Sequence, residues 1–243
     1  MLFFLQEKEY FMKRLSPCKY LRYFSKAEWL LWSVSVAVII LSFCLFDRES
    51  CLTLAASLIG VTSLIFNAKG NPIGQLLMVV FSILYGIISY TFAYYGEMIT
   101  YLGMTGPMAL VALIAWLRHP YRGNRAEVQV NRLNKSERWL LPLTAAIVTL
   151  VFYFILKAFH TANLPLSTLS VTTSYVAVYL TARRSPLFAL AYAANDVVLI
   201  ALWIIAAMTY TAYISVVICF AAFLANDLYG FISWKHMEKR QHA

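Results

Sequence analysis

Long runs of apolar residues alternate with short polar joints along most of this chain. A helix needs about 20 apolar residues to cross the hydrocarbon core of a bilayer, and each run approaches or exceeds that length. The pattern therefore predicts about eight transmembrane helices, over residues 29–46, 51–67, 72–95, 98–117, 139–158, 164–181, 186–208 and 211–234. A count of seven remains open if the first two runs are less regular.

The composition supports an all-α polytopic membrane protein. Hydrophobic residues make up 61% of the 243 positions and charged residues only 13%, whereas roughly a quarter of the residues are charged in soluble domains. These values exclude an ordinary soluble enzyme, a secreted disulfide scaffold and a disordered chain. No small-residue cleavage site follows the first apolar run, so a retained helix is predicted there and not a signal peptide.

The Lys and Arg residues predict the orientation. If the N-terminus, the joints near 69 and 183, the loop 118–138 and the C-terminus share one side, 18 of the 20 Lys and Arg residues lie there. Only Arg48 and Lys157 fall opposite. Cytoplasmic loops carry such an excess of positive charge. Both termini are therefore predicted to be cytoplasmic, and orientation explains the net charge of +9 without nucleic-acid binding.

Two similar stretches suggest an internal repeat. Residues 68–72 and 182–186 share the order alanine, basic residue, any residue, small polar residue, proline, and each precedes two helices that end near Trp116 or Trp234. The prolines lie 114 residues apart and the tryptophans 118 apart. A connecting helix lets two three-helix units run in the same direction. The alternative is that these prolines and tryptophans are interfacial anchors.

The repeat predicts how the chain is divided. The expected segments are a cytoplasmic N-terminal segment at 1–28, an extra helix at 29–46, a first unit at 51–117, a basic cytoplasmic loop at 118–138, a linker helix at 139–158, a second unit at 164–234 and a cytoplasmic tail at 235–243.

Two acidic residues lie deep in the predicted helices. Asp196 is ten residues into its helix, near the bilayer midplane, and Asp227 is about 10 Å from the cytoplasmic end of the last helix. Each follows an asparagine, Asn195 or Asn226, and no Lys or Arg lies at a matching depth. Buried carboxylates without an internal cation need a proton, a hydrogen-bond network or a cationic ligand. Both pairs are candidate ligand sites, or else hydrogen-bond contacts between helices.

Polar and aromatic residues at helical spacing surround these acids. The candidates are Gln75, Tyr85, Thr172, Trp203 and Tyr229. A helix facing lipid needs no polar stripe, so these residues should face protein or a water-filled path, although each alone also suits packing. Aromatic faces beside a desolvated carboxylate suit a small, flat, polar molecule with a delocalised positive charge.

Motifs for other chemistry are absent from the sequence. The four cysteines have neither CxxC spacing nor a nearby histidine pair, so no metal and no cofactor is predicted. GxSxG, HExxH and GxxxxGK(S/T) do not occur, and His119, His160 and His236 lie in predicted loops or at helix ends. No catalytic residue is predicted, and an enzyme is not expected.

Three stretches resemble one known family. Asn226–Trp234 (NDLYGFISW), Ser167–Ser174 (STLSVTTS) and the segment Arg118–Tyr121 with the basic loop after it are similar to the PnuC family of bacterial nicotinamide riboside transporters. The resemblance extends from about residue 50 to the C-terminus. It implies a SWEET-like 3+1+3 parallel repeat, here with one extra N-terminal helix, in the bacterial cytoplasmic membrane.

The resemblance also implies a function. It indicates facilitated diffusion of unphosphorylated nicotinamide riboside, an NAD precursor, by rocking of the two units. A cytosolic kinase would then trap the substrate, and the implied assembly is a homotrimer. By position, we expect Asn195 and Asn226 to bind the carboxamide or the ribose, and Asp196 and Asp227 to bind the hydroxyls or the positive ring. Further hydrogen bonds are expected from Gln75, Tyr85 and Thr172. Trp203 is the expected stacking partner.

Two alternatives remain open at this point. Relatives with the same architecture carry thiamine or riboflavin, so a proton- or cation-coupled transporter of another vitamin fits the same residues. A membrane receptor without transport is the other alternative.

Overall fold

The computed structural model describes residues 23–48, 50–91, 95–161 and 163–243. Within these ranges the chain forms eight long helices and one short β-hairpin. The helices are α1 Lys26–Phe46, α2 Cys51–Ala68, α3 Pro72–Thr91, α4 Tyr95–Arg118, α5 Lys135–Ala158, α6 Leu164–Ala182, α7 Leu187–Ala207 and α8 Ile214–His242. The all-helical prediction is confirmed, while residues 1–22 of the predicted N-terminal segment lie outside the described residues.

Seven of these helices are long and apolar enough to cross a membrane. The exception is α6, which has 19 residues and no charge but carries many serine, threonine and tyrosine side chains. Its polar side chains are tolerated because neighbouring helices satisfy them, as the contacts of Thr172, Thr173 and Ser174 below show. A hydrogen-bonded polar face costs little at membrane depth.

Two features depart from the expected boundaries. The last helix continues past Trp234 to His242, and Lys235 and Glu238 on its added turns form an ion pair at 3.0 Å. The loop 118–138 contains a hairpin, β1 Pro120–Tyr121 and β2 Asn124–Val128, whose two turn residues both have positive φ. Such two-residue turns match the twist of paired strands.

Six of the helices form a closed ring in the order α2, α3, α4, α6, α7, α8, in which each packs against the next and α8 packs against α2. Helix α1 lies outside the ring against α2 and α8, and α5 lies outside it against α6. The α4–α6 contact and the α8–α2 contact each join the third helix of one predicted unit to the first helix of the other. This arrangement is consistent with the predicted parallel repeat.

Equivalent contacts connect the two units at one end of the ring. The Trp116 indole N–H donates to the Thr181 carbonyl at 2.9 Å, and the Trp234 indole N–H donates to the Asn67 carbonyl at 2.7 Å. The two acceptors lie 114 residues apart, like the prolines. Both tryptophans are fully buried, with ring centroids 5.4 Å apart. Their interpretation as interfacial anchors is therefore wrong, because neither reaches the surface.

The same end of the ring is held together by the hairpin, and we call it the basic end because of its Lys and Arg residues. The Val128 N–H donates to the Gly70 carbonyl at 2.9 Å, and the Asn131 N–H donates to the Arg184 carbonyl at 3.0 Å. Gly70 and Arg184 are the matched left-handed residues of the two joints. One segment of chain thus links both units across the basic end.

Candidate functional site

The two buried acids meet between α7 and α8. Asp196 lies midway along α7 and Asp227 midway along α8, and their side chains are 4% and 5% exposed. The two carboxyl groups lie close enough to interact directly with each other. Two desolvated carboxylates at such short range repel each other when both are ionised. We therefore expect the pair to share one proton and to carry at most one negative charge.

No cation of the protein neutralises this acid pair in the part of the chain that is described. The ion pairs found there involve other acids, and each includes a Lys or Arg of the basic end. The Asp196 Oδ2 atom is buried and accepts no hydrogen bond from a described residue. A buried acceptor without a partner costs stability, so this oxygen is the natural contact for a ligand.

The two asparagines beside the acids are mostly engaged in helix packing. The Asn195 side-chain oxygen accepts hydrogen bonds from Thr173 at 2.8 Å and Ser174 at 3.0 Å, which attaches α7 to α6. The Asn226 amide nitrogen donates to Ser35 of α1 at 2.9 Å. The Asn226 side-chain oxygen is buried and lacks a partner among the described residues. Asn195 thus fits the alternative interpretation as a contact between helices, and Asn226 retains one free acceptor.

A cluster of rings fills the centre of the helix ring, and we call it the central aromatic cluster. It comprises Phe81, Tyr85, Tyr101, Phe220 and Phe223. The rings of Tyr85 and Tyr101 are closest, with centroids 4.5 Å apart. Tyr101 is also within electrostatic range of Asp196. The cluster therefore lies next to the acid pair and closes the middle of the bundle.

Gly60 of α2 makes room for this cluster. A Cβ atom there would lie 2.5 Å from the Phe223 ring, closer than any ordinary contact. The absence of a side chain thus allows the Phe223 ring to lie against the α2 backbone.

A cavity of about 310 Å³ reaches the central aromatic cluster from the end of the bundle opposite the basic end. Its aromatic lining is Tyr85, Trp203, Tyr210 and Tyr213, and Asp47 contributes a carboxyl group. Trp203 lies seven residues beyond Asp196 on α7, which corresponds to about 10 Å along the helix axis. The volume is at the lower end of the range for small-molecule sites. We call this space the aromatic cavity.

Of the predicted site residues, Tyr85 and Trp203 line the aromatic cavity together, whereas the acid pair lies deeper in the bundle and Gln75 lies elsewhere. The Gln75 amide nitrogen donates to the Asn67 side chain at 2.8 Å. Gln75 is ten residues from Tyr85, which places it about 15 Å closer to the basic end of α3.

Thr172 and Tyr229 also lie away from the aromatic cavity. The Thr172 hydroxyl is 2.7 Å from the Thr149 hydroxyl, which attaches α6 to the peripheral helix α5. The Tyr229 hydroxyl donates to Glu28 of α1 at 3.0 Å, and Glu28 also pairs with Lys69 at 3.3 Å. Both predicted site residues thus contact peripheral helices.

Two residues near the site were not singled out from the sequence, Tyr101 and Glu97. Tyr101 begins a π-helical turn, Tyr101–Thr105, within α4. Such turns occur often at functional sites, but the sequence pattern does not reveal them. Glu97 falls in the short joint between the predicted helices 72–95 and 98–117, whereas the structure buries its side chain, which is only 5% exposed. The sequence signal that could have indicated its burial is its position at the start of an apolar run, among small and apolar neighbours.

Comparisons with known proteins agree with this architecture. A family model described as "Nicotinamide mononucleotide transporter" matches residues 50–236. A curated protein, "Nicotinamide riboside transporter PnuC" of Neisseria mucosa, is 28% identical over 220 residues, covering 88% of this chain and 82% of the relative. A solved structure, "Crystal structure of the Vitamin B3 transporter PnuC", superposes with a TM-score of 0.78 at 25% identity, covering 90% of this chain and 94% of the other.

Proposed function

Because the chain belongs to the nicotinamide mononucleotide transporter family, and is thus a multi-pass membrane transporter rather than an enzyme, we propose that it takes up nicotinamide riboside. The substrate would move down its gradient into the cytoplasm of a bacterium, and a cytosolic kinase would trap it by phosphorylation. The basic end of the bundle, with both termini, would face the cytoplasm. The aromatic cavity would then open to the outside.

The observation that carries this proposal is the acid pair below the aromatic cavity. Nicotinamide riboside has a flat pyridinium ring with a positive charge, and the pair offers one negative charge with an unpartnered oxygen on Asp196. Aromatic rings and a desolvated carboxylate together favour such a cation. Nicotinamide mononucleotide adds a phosphate, which two carboxyl groups would repel. The unphosphorylated riboside is therefore the better match.

Alternating access would follow from rocking of the two three-helix units. The basic end is closed by Trp116, Trp234 and the hairpin segment, while the opposite end carries the aromatic cavity. Inward opening would separate the tryptophans and close the aromatic cavity around Tyr85 and Trp203. Parallel units related by an axis along the membrane normal support such motion. A homotrimer is the assembly that the family resemblance suggests.

Uptake into proteoliposomes tests the transport mode. We expect radiolabelled nicotinamide riboside to equilibrate at the same rate with and without a pH or sodium gradient. A kinase and ATP enclosed in the vesicles should raise accumulation above the external concentration, because phosphorylation removes the permeant from the equilibrium. Accumulation above equilibrium without the kinase, driven by either gradient, would contradict facilitated diffusion.

Proton-coupled uptake is the second candidate, and the contact between Asp196 and Asp227 favours it. The proton that the pair holds could leave when the substrate cation binds. In the same proteoliposomes, coupling predicts that an imposed pH gradient drives nicotinamide riboside against its concentration gradient, whereas facilitated diffusion predicts no such movement.

A further inference from the structure

Glu97 lies outside the site described so far, yet it is a buried acid with one carboxyl oxygen that lacks a partner among the described residues. Its side chain is 5% exposed, and its Oε2 atom accepts no hydrogen bond from the described residues. None of the ion pairs found among those residues includes it. The cost of such burial is offset when a ligand supplies the missing contact.

Glu97 opens onto a cavity of its own, of about 210 Å³. Its lining combines the polar residues Thr161, Asn163 and Thr209 with apolar residues such as Leu202. We call this space the Glu97 cavity. Its lining residues on α7 lie six or more residues beyond Asp196, which is about 9 Å or more toward the end opposite the basic end.

The Glu97 cavity is connected with the described site. Tyr210 lines both this cavity and the aromatic cavity, so the two spaces are neighbours. Tyr101 of the central aromatic cluster follows Glu97 by four residues on α4, which is about 6 Å along the helix axis toward the basic end. From the open end inward, Glu97, Tyr101 and Asp196 therefore follow one another as groups that attract a positive charge.

We propose that the Glu97 cavity is a first binding site for the positively charged ring of the substrate, occupied before the ring reaches the acid pair. This inference rests on the proposed function. A flat organic cation suits the cavity because its lining combines an acidic residue and hydroxyl-bearing residues with apolar side chains. A bare metal ion would need about six oxygen ligands, which the apolar α7 lining does not supply.

The initial rate of nicotinamide riboside influx into proteoliposomes, measured as a function of substrate concentration, tests this site. The variants compared with the wild type are Glu97→Gln, the charge-retaining Glu97→Asp and the control Glu238→Gln. Glu97→Gln should raise the KM for nicotinamide riboside about tenfold, because one charge contact is lost, while kcat stays within about twofold. Glu97→Asp should restore most of the affinity, and Glu238→Gln, at the basic end, should leave KM unchanged. A structural role alone would lower the amount of active protein, and so the maximal rate, without this change in KM.

A second variant keeps the test decisive if Glu97→Gln does not fold. Ala206→Leu fills the Glu97 cavity from α7 and should also raise KM. Unchanged KM in the variants that fold would overturn this inference and leave the proposed function standing. Absence of nicotinamide riboside transport by the wild type would overturn the proposed function, and this inference with it.

Discussion

Replacing Asp196 with asparagine should lower the rate of nicotinamide riboside uptake about 100-fold. Asp196 carries a buried oxygen that accepts no hydrogen bond from a described residue, so we expect its carboxylate to bind the substrate ring. The change leaves the Asp227 carboxylate bonded to an amide of the protein, which removes the free negative oxygen. A 100-fold loss corresponds to about 2.7 kcal/mol, within the range for a desolvated charged contact. Initial rates in proteoliposomes with equal amounts of incorporated protein measure the effect.

Asp227→Asn is the matched control for that variant. It keeps Asp196 as a carboxylate and supplies an amide N–H in place of the shared proton, so uptake should fall less than tenfold. The double variant should show only background uptake, because no acid remains. Wild-type uptake by Asp196→Asn, in protein that elutes as a single species in gel filtration, would contradict the assignment of the acid pair.

Replacing Trp234 with alanine should lower the free energy of unfolding by about 3–5 kcal/mol, the usual cost of deleting a large aromatic core side chain. Trp234 is fully buried, donates to the Asn67 carbonyl and packs on Phe188 with centroids 4.8 Å apart. The change leaves a cavity where the two units meet and removes the hydrogen bond from the indole to the Asn67 carbonyl, which still accepts from the Gly70 N–H. Thermal or denaturant unfolding in detergent measures the loss.

The chain offers a matched pair of controls for this change. Trp116→Ala should cost a similar amount, because Trp116 makes the equivalent contact to Thr181 in the other unit. Trp139→Ala should change stability by less than about 1 kcal/mol, since that side chain is 82% exposed on α5. Equal effects of all three substitutions would show that the two units are not joined through the buried tryptophans.

The sequence was sufficient to predict the helices and to single out the two buried acids, for physical reasons, but not to predict that the acids meet. Spans of about 20 apolar residues have few alternatives in a bilayer. Acids at the centre of such spans are costly enough to stand out, which singled out Asp196 and Asp227. The resemblance to the PnuC family, stated from Asn226–Trp234 and two other stretches, is confirmed by the family model and by the related structure.

The partners of individual side chains could not be predicted from the sequence. Helical periodicity places Thr172 and Tyr229 on a face but does not say which helix that face meets, and both contact peripheral helices. Tryptophans at helix ends are as typical of the membrane–water interface as of the protein interior. Trp116 and Trp234 are buried because the two units pack against each other there. The π-helical turn that presents Tyr101 leaves no pattern in a single sequence.

Equilibrium binding to the purified wild-type protein tests the central claim most directly. Titration calorimetry would compare nicotinamide riboside with its phosphorylated form, which shares the cationic ring but adds negative charge. We expect the riboside to bind at least tenfold more tightly, because an acid pair without a nearby cation attracts the ring and repels the phosphate. Equal or tighter binding of the mononucleotide would contradict a site built on unneutralised carboxyl groups.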